Sequence, residues 1–302
     1  RIGVVDEVEF SGSDFVTTSN FSSATSVQQS IRTVEGNLSV QMETINGQVN
    51  YDVDDQADIT GVANGQNRLV VAFVDSRGNT NAEIIDVEDD GSVDEEDFDI
   101  PDQFGDNVRF TEGTVSVHFI ASGRDNNVGS NDDLSPTQTT GDDGSLEDLR
   151  DFVEDLNDDN LNGDQARERI LEETVEATAS DDLINTQTFR YVESQTSIDS
   201  VYAEGSEAAG VNPVAVGDTM VVTGTTNLRP SDNSILVELF DDEQQSISIS
   251  DTEEWESDGQ WSVTVDTSDL ETGTYTLESD DSENTDTAAV ELVESLRGDA
   301  RG

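Results

Sequence analysis

From Asn212 to Val293 apolar and polar residues alternate in short segments separated by turn signals: MVVTG, ILVELF, SISIS, WSVTV, TYTLES and AAVELV. A period of two lets a segment bury one face and hydrate the other, which is the pattern of a half-buried strand. Strands at this spacing, with no helical period between them, predict a small antiparallel β-sandwich over residues 201–295. The first half repeats the plan on a larger scale. Strand-like segments cover VVDEVEF (Val4–Phe10), Leu38–Thr44, Gly47–Val53, Ala57–Ala63, Arg68–Asp75, Ala82–Val87 and Val108–Ser122. In the last of these, Val115, Val117 and Phe119 alternate with Ser116, His118 and Ile120. Asn46-Gly47 and Arg77-Gly78-Asn79 read as tight turns.

After Gly123 the period changes. A polar loop over 124–144 leads to Ser145, which reads as a helix N-cap with Asp148 placed to return the hydrogen bond. Leu146, Leu149, Phe152, Val153 and Leu156 then fall on one helical face. Residues 157–163 break the helix, and Ala166, Ile170, Leu171 and Val175 form the inner side of a second one. The strand pattern resumes over Thr186–Val201, with Phe189, Tyr191 and Ile198 facing inward. The helical hairpin, about 144–180, is therefore expected as an insertion that lays its Leu/Phe face on the sheet or on the neighbouring domain. The expected division is 1–200 for β-sandwich domain(s) carrying the insertion, 201–295 for a second sandwich, and 296–302 for a cut end or linker. EGSEAAG, near 204–210, marks a short boundary that fixes the relative orientation of the two.

Charge sets the environment. The chain of 302 residues carries 69 acidic and 13 basic side chains, a formal net charge of −56, and only 32% apolar residues. Every basic residue is Arg and there is no Lys. Such a composition repels itself in dilute buffer. In about 1 M salt the Debye length shrinks to about 3 Å and exposed carboxylates cease to repel. The alternating strands require folding, so the composition predicts a protein that works in molar salt. No basic patch exists to neutralise phosphates, which excludes nucleic acid. Cysteine is absent, which removes disulfides, thiolate metal sites and a Cys nucleophile. No run of 18 apolar residues can span a bilayer. A start at Arg1-Ile2, without Met or a leader, is expected of a segment from a longer mature protein.

Two stretches carry a resemblance. They are NPVAVGDTMVVTGTTNLRP (Asn212–Pro230) and DGQWSVTVDTSDLETGTYTL (Asp258–Leu277). Both resemble the repeated surface domains of haloarchaeal S-layer glycoproteins. TGVANGQNRLVVAFVDSRGN (Thr60–Asn79), the helical hairpin at Gly144–Asp182 and INTQTFRYVESQTSIDSVY (Ile184–Tyr202) are similar as well, so the resemblance covers most of residues 55–294. It implies a mainly β chain of tandem immunoglobulin-like sandwiches, the first with the inserted hairpin. It further implies a structural part in a glycosylated lattice on the cell exterior, with copies of itself and divalent cations, Ca²⁺ or Mg²⁺, as partners. An alternative of another class is a cell-surface adhesin or glycan-binding accessory module of a secreted halophilic protein. An aromatic content of 6% argues against that alternative.

No enzyme is expected. The single His118 lies mid-strand, and no GxSxG elbow or phosphate-binding Gly loop is present. The nearest approach to a metal motif sets Asp86, Glu88, Asp90, Asp94 and Asp97 at positions 1, 3, 5, 9 and 12 of a Ca²⁺ loop, with Gly91 at position 6. Glu at position 3, Asp at position 12 and the lack of flanking helices leave a solvated acidic loop as the competing reading. Asp158–Gly163 matches less well and reads as the turn between helices, while Asp241-Asp-Glu243 reads as a site of loose cation binding. Asn20-Phe-Ser and Asn37-Leu-Ser are sequons for N-linked glycans. Trp261 reads as a core aromatic. Arg297-Gly298-Asp299 spells an adhesion tripeptide, read as coincidence.

Overall fold

The computed structural model describes residues 2–5, 26–29, 36–100, 110–129 and 145–295. They belong to two compact units, Arg1–Gly36 and Asn37–Gly302. In the first unit β1 (Ile2–Val5) and β2 (Ser26–Gln29) pair antiparallel. The N-terminal segment is thus a compact unit of its own within residues 1–200.

The second unit opens with β3 (Asn37–Met42), β4 (Gln48–Asn50), β5 (Gln56–Asn64), β6 (Arg68–Asp75), β7 (Thr80–Asp86), β8 (Ser92–Asp99) and β9 (Gly113–Ala121). The helices α1 (Leu146–Asp155) and α2 (Gly163–Glu173) follow, and β10 (Leu183–Val192) completes this part. A three-stranded sheet, β3-β5-β8, faces a five-stranded one, β4-β10-β9-β6-β7. Their inner faces close over Val40, Met42, Ile59, Phe73, Val117, Phe119 and Phe189. Phe73 sits at the centre, with ring centroids 6.1 Å from Phe98, 5.9 Å from Phe110 and 6.4 Å from Phe189.

Arg68–Asp75 is nearly all apolar because β6 is covered on both sides. Leu69, Val71 and Phe73 enter the sandwich core, while Val70, Ala72 and Val74 meet the helices. Covering also explains why Ser116, His118 and Ile120 on β9 are buried although they alternate with the core face. Helix α1 starts on a capping box between Ser145 and Asp148, and α2 on one between Asn162 and Gln165. The face Leu146, Leu149, Phe152, Val153 and Leu156 lies on the sheet, as its spacing predicts. On α2 the inner column is Ala166, Ile170 and Thr174, one per turn. Leu171 flanks that column and Val175 lies past the helix end, so both are only half-buried, contrary to expectation. The hairpin turn approaches the β6–β7 turn so closely that a Cβ at Gly78 would collide with the carbonyl of Leu161.

A second sandwich follows: β11 (Thr196–Ala203), β12 (Gly210–Val211), β13 (Val214–Ala215), β14 (Thr219–Thr226), β15 (Ile235–Phe240), β16 (Ser246–Thr252), β17 (Gln260–Asp266), β18 (Gly273–Asp280) and β19 (Thr285–Val293). Its sheets are ordered β12-β11-β14-β17 and β13-β19-β18-β15-β16. Apart from the two-residue β12, this is strand for strand the order of the first sandwich. In each, a short strand (β4, β13) pairs parallel with the last strand of its domain (β10, β19). The helical hairpin lies between the last two strands of the first copy. This is a tandem of immunoglobulin-like sandwiches. Tyr275, at the start of β18, donates to the carbonyl of Glu271 at 2.8 Å, the tyrosine corner of that fold. Trp261 fills the core against Gly224, where a Cβ would strike its ring.

The division between the sandwiches falls earlier than 200–210. Thr186–Val201 is two strands, because β10 pairs with β9 while β11 pairs with β14. The crossing is therefore at Glu193–Gln195, and EGSEAAG is a loop inside the second sandwich.

Candidate functional site

The crossing is where the two sandwiches meet, and side chains from distant parts of the chain converge there. The Asn46-Gly47 turn adopts left-handed backbone at both residues (φ 53 and 69), and Asn46 N–H donates to the Ser257 carbonyl of the second sandwich at 2.7 Å. Val53 of the first sandwich packs on the second core. Asn227, 3% exposed, receives the N–H of Gln195 at 2.7 Å and donates to the Glu193 carbonyl at 2.9 Å. Its own carbonyl accepts from Asn50 at 3.3 Å. Asp52 holds Ser194 through its N–H (2.7 Å) and hydroxyl (2.9 Å), and Asn284 donates to that same hydroxyl at 2.6 Å. Asn50, Ser194 and Asn227 are buried, so their contacts satisfy polar groups that would otherwise be unpaired as well as fix the crossing.

Arg229 occupies the middle of this joint. Its guanidinium lies 2.6 Å from Asp97 and 2.8 Å from Asp232, and 3.7 Å from both Asp54 and Asp58. Three of these carboxylates belong to the first sandwich and one to the second. One cation for four anions leaves the group acidic. Burial pushes the Asp54 carboxyl above its ordinary value, with Arg229 pulling the other way. Burial also works to lower the pKa of Arg229, but the surrounding carboxylates together raise it. Asp97 reaches this position through a bulge. Between Ala57 and Ile59 the register with β8 slips, Asp97 takes a left-handed φ of 53, and its N–H donates to Asp58 at 3.0 Å. A polar cleft opens alongside, lined by Gln41, Glu43, Asp58, Gln187 and Asp232.

The residues matched to a Ca²⁺ loop are dispersed. Asp86 ends β7, and Glu88 and Asp90 stand in the turn after it. Asp90 accepts from the N–H (3.0 Å) and hydroxyl (2.7 Å) of Ser92. Asp94, on β8, stands opposite Thr60 of β5, and Asp97 turns to Arg229. Among the described residues no three acidic or His side chains form a group able to hold a metal. Asp158–Gly163 is the turn between the helices, with Asn160 left-handed. Asn37 is exposed at the start of β3. Asn20 and Arg297-Gly298-Asp299 lie outside the described residues. His118 is buried, with Nδ1 2.8 Å from the Thr186 hydroxyl. The joint itself was not read from sequence, because its partners stand up to 179 residues apart. One signal was there to use: in a chain with 13 Arg, one placed between Leu228 and Pro230 among acidic loops is an obvious hub.

No protein-family model matches this chain. The cell surface glycoprotein of Halobacterium salinarum is 41% identical, over 98% of this chain and 32% of its own length. That of Haloarcula marismortui is 40% identical with the same coverage. That of Haloarcula japonica is 42% identical over 86% of this chain and 28% of its own. Among solved structures, a tetra-tandem repeat from the extending region of a large adhesion protein aligns with 86% of this chain and 50% of its own at 16% identity, and a TM-score of 0.27 gives that likeness no weight. The chain spans about a third of the length of the curated relatives it matches. On the strength of that 40–42% identity the chain belongs to the cell surface glycoproteins of the halophilic archaea.

Proposed function

We propose that this chain is a load-bearing segment of a surface layer on the exterior of a halophilic archaeal cell, a structural and not a catalytic part. The observation that carries the reading is the tandem itself: two sandwiches of one strand order, locked at a fixed crossing by Arg229 and the Asn227 network. A rigid pair of this kind presents its outer loops and edges in a defined geometry, which a repeating two-dimensional array requires. Copies of the chain are the proposed lattice partners. Ca²⁺ or Mg²⁺ is proposed to bridge surface carboxylates between copies, with Asp86, Glu88, Asp90 and Asp94 among the exposed acids. Asn37 and Asn20 are the proposed N-glycan acceptors. The adhesin alternative loses its main support, because no aromatic side chain is among the exposed large apolar residues of the described part.

Electron microscopy of the purified chain and its parent in molar NaCl with millimolar Ca²⁺ tests this directly. Ordered sheets are expected, and their dispersal by excess chelator is expected if cations bridge the copies. Sheets unaffected by chelator would remove the cations from the proposal, and discrete particles under every condition would remove the lattice.

A further inference from the structure

Strand edges expose main-chain N–H and C=O groups that pair with any strand able to approach. Most edges of these sandwiches are closed or charged. The outer edge of β3 is capped by β10: the N–H groups of Val40 and Met42 donate to the side-chain oxygens of Asn185 (3.0 Å) and Gln187 (2.9 Å), and Gln187 donates back to the Met42 carbonyl (2.8 Å). β8 carries Asp94, Glu95, Glu96, Asp97 and Asp99. β7 lies against α1 and contains Glu83 and Asp86. On β17 the Thr264 carbonyl is taken by the Ser250 hydroxyl of β16.

β16 differs. It is the last strand of its sheet, it bulges at Ile247 against β15, and among the described residues no main-chain group of Ser246–Ser250 has a partner outside β15. Its side chains also reverse the sandwich pattern. Ser248 and Ser250 point to the half-buried side, whereas Ile247 (37% exposed) and Ile249 (60%) point out. In a chain with a net charge of −56, this edge runs five residues without a charge.

We propose that β16 is a self-pairing edge, whose occupant is the β16 strand of a second copy related by a two-fold axis. Ser-Ile-Ser-Ile-Ser reads the same in both directions. Antiparallel pairing centred on Ser248 sets Ile247 opposite Ile249 twice, joining four isoleucines in one apolar patch across the new sheet. The same register places Asp251 opposite Gln245, so no carboxylate faces another until Glu243 meets Glu253. Moving the centre to Ile247 sets Glu243 against Asp251, and moving it to Ile249 sets Ile247 against Asp251. Charge and apolar contact select the same register. A pairing of this length buries less than the roughly 1,200 Å² of a stable interface, so it is a weak contact, effective where many act together. It rests on the surface-layer reading for that multiplicity, and not for its geometry.

The chain has no cysteine, which permits a clean test. Ile247→Cys and Ile249→Cys proteins are prepared separately, and the oxidised proteins are compared alone and mixed in about 3 M NaCl. Opposed positions bridge readily, while Cα atoms more than about 7 Å apart do not. The mixed disulfide dimer is therefore expected in about ten-fold excess over either homodimer. Equal yields, or no cross-link at concentrations where the chain forms sheets, would overturn the proposal. Ile249→Asp, an exposed change that leaves the core untouched, is expected to lower self-association measured by sedimentation by about ten-fold or more. Unchanged association would also overturn it. If sheets form normally from the Ile249→Asp protein, this edge fails and the surface-layer reading stands. If cross-linking succeeds and no sheet forms under any condition, the edge stands and that reading fails.

Discussion

Two buried residues in the first sandwich give it opposing responses to acid. His118 is held neutral, its pKa lowered from 6.5 to about 4, first by burial beneath the helices and then by the nearby Arg167. Between pH about 6.5 and about 4 the unfolded chain takes the proton more readily than the folded one, so His118 withdraws stability as acid is added. Asp182 is buried where its Oδ2 accepts the Gly129 N–H at 2.7 Å, and burial pushes its pKa up to about 6. Between about 6 and 3.8 the folded chain takes the proton first, so Asp182 returns stability over nearly the same interval. Each effect is on the order of 3 kcal/mol and they largely cancel. Denaturation measured against pH in high salt is expected to separate them. Asp182→Asn leaves a net loss on acidification, His118→Gln leaves a net gain, and the double variant lies near the parent. Parallel curves for all four proteins would show that neither group titrates as its surroundings dictate.

At the scale of elements, the helical hairpin is a roof over an apolar sheet face. Leu149 is fully buried against that face, so Leu149→Ala is expected to cost about 3 kcal/mol, against about 1 kcal/mol for removing the Ser145 cap, read as midpoints of chemical denaturation. The hairpin was legible in the sequence because caps and apolar spacing are local signals, and Ser145 with Asp148 behaves as that pattern dictates. The long strands were legible for the same reason. The pairing was not. β4 and β13 have three and two residues, too few for a period, yet each forms the parallel edge of its five-stranded sheet. The bulge at Asp97 is a misfit between two strands and has no counterpart in either strand read alone. It is the reason a residue suited to a Ca²⁺ loop by spacing serves Arg229 instead. Thr186–Val201 misled because strand character continues through the crossing, and only its partners change.

For the molecule as a whole, the joint is the most salt-sensitive place. Each sandwich has a dry core to hold it, whereas the joint adds to its hydrogen bonds one guanidinium shared by four carboxylates within a chain of −56. As salt falls to about 0.1 M the Debye length grows to about 10 Å, and repulsion then acts across the joint. Small-angle scattering on dilution from about 3 M NaCl is expected to show the two sandwiches separating before circular dichroism reports loss of strand. Arg229→Ala is expected to move that separation to higher salt and to leave each sandwich folded. Separation and strand loss at one common salt concentration would mean that the joint is no weaker than the cores.

The parallel pairing of β4 with β10, and of β13 with β19, has a mechanical consequence. In each domain the strand near the entry and the strand at the exit run the same way, so tension on the chain pulls them past one another in opposite directions. The hydrogen bonds between them lie across the line of force and must rupture together, where an antiparallel pair pulled from one end would unzip bond by bond. Each domain therefore meets stretching as a latch, which resists a pull applied along the chain until its bonds fail together.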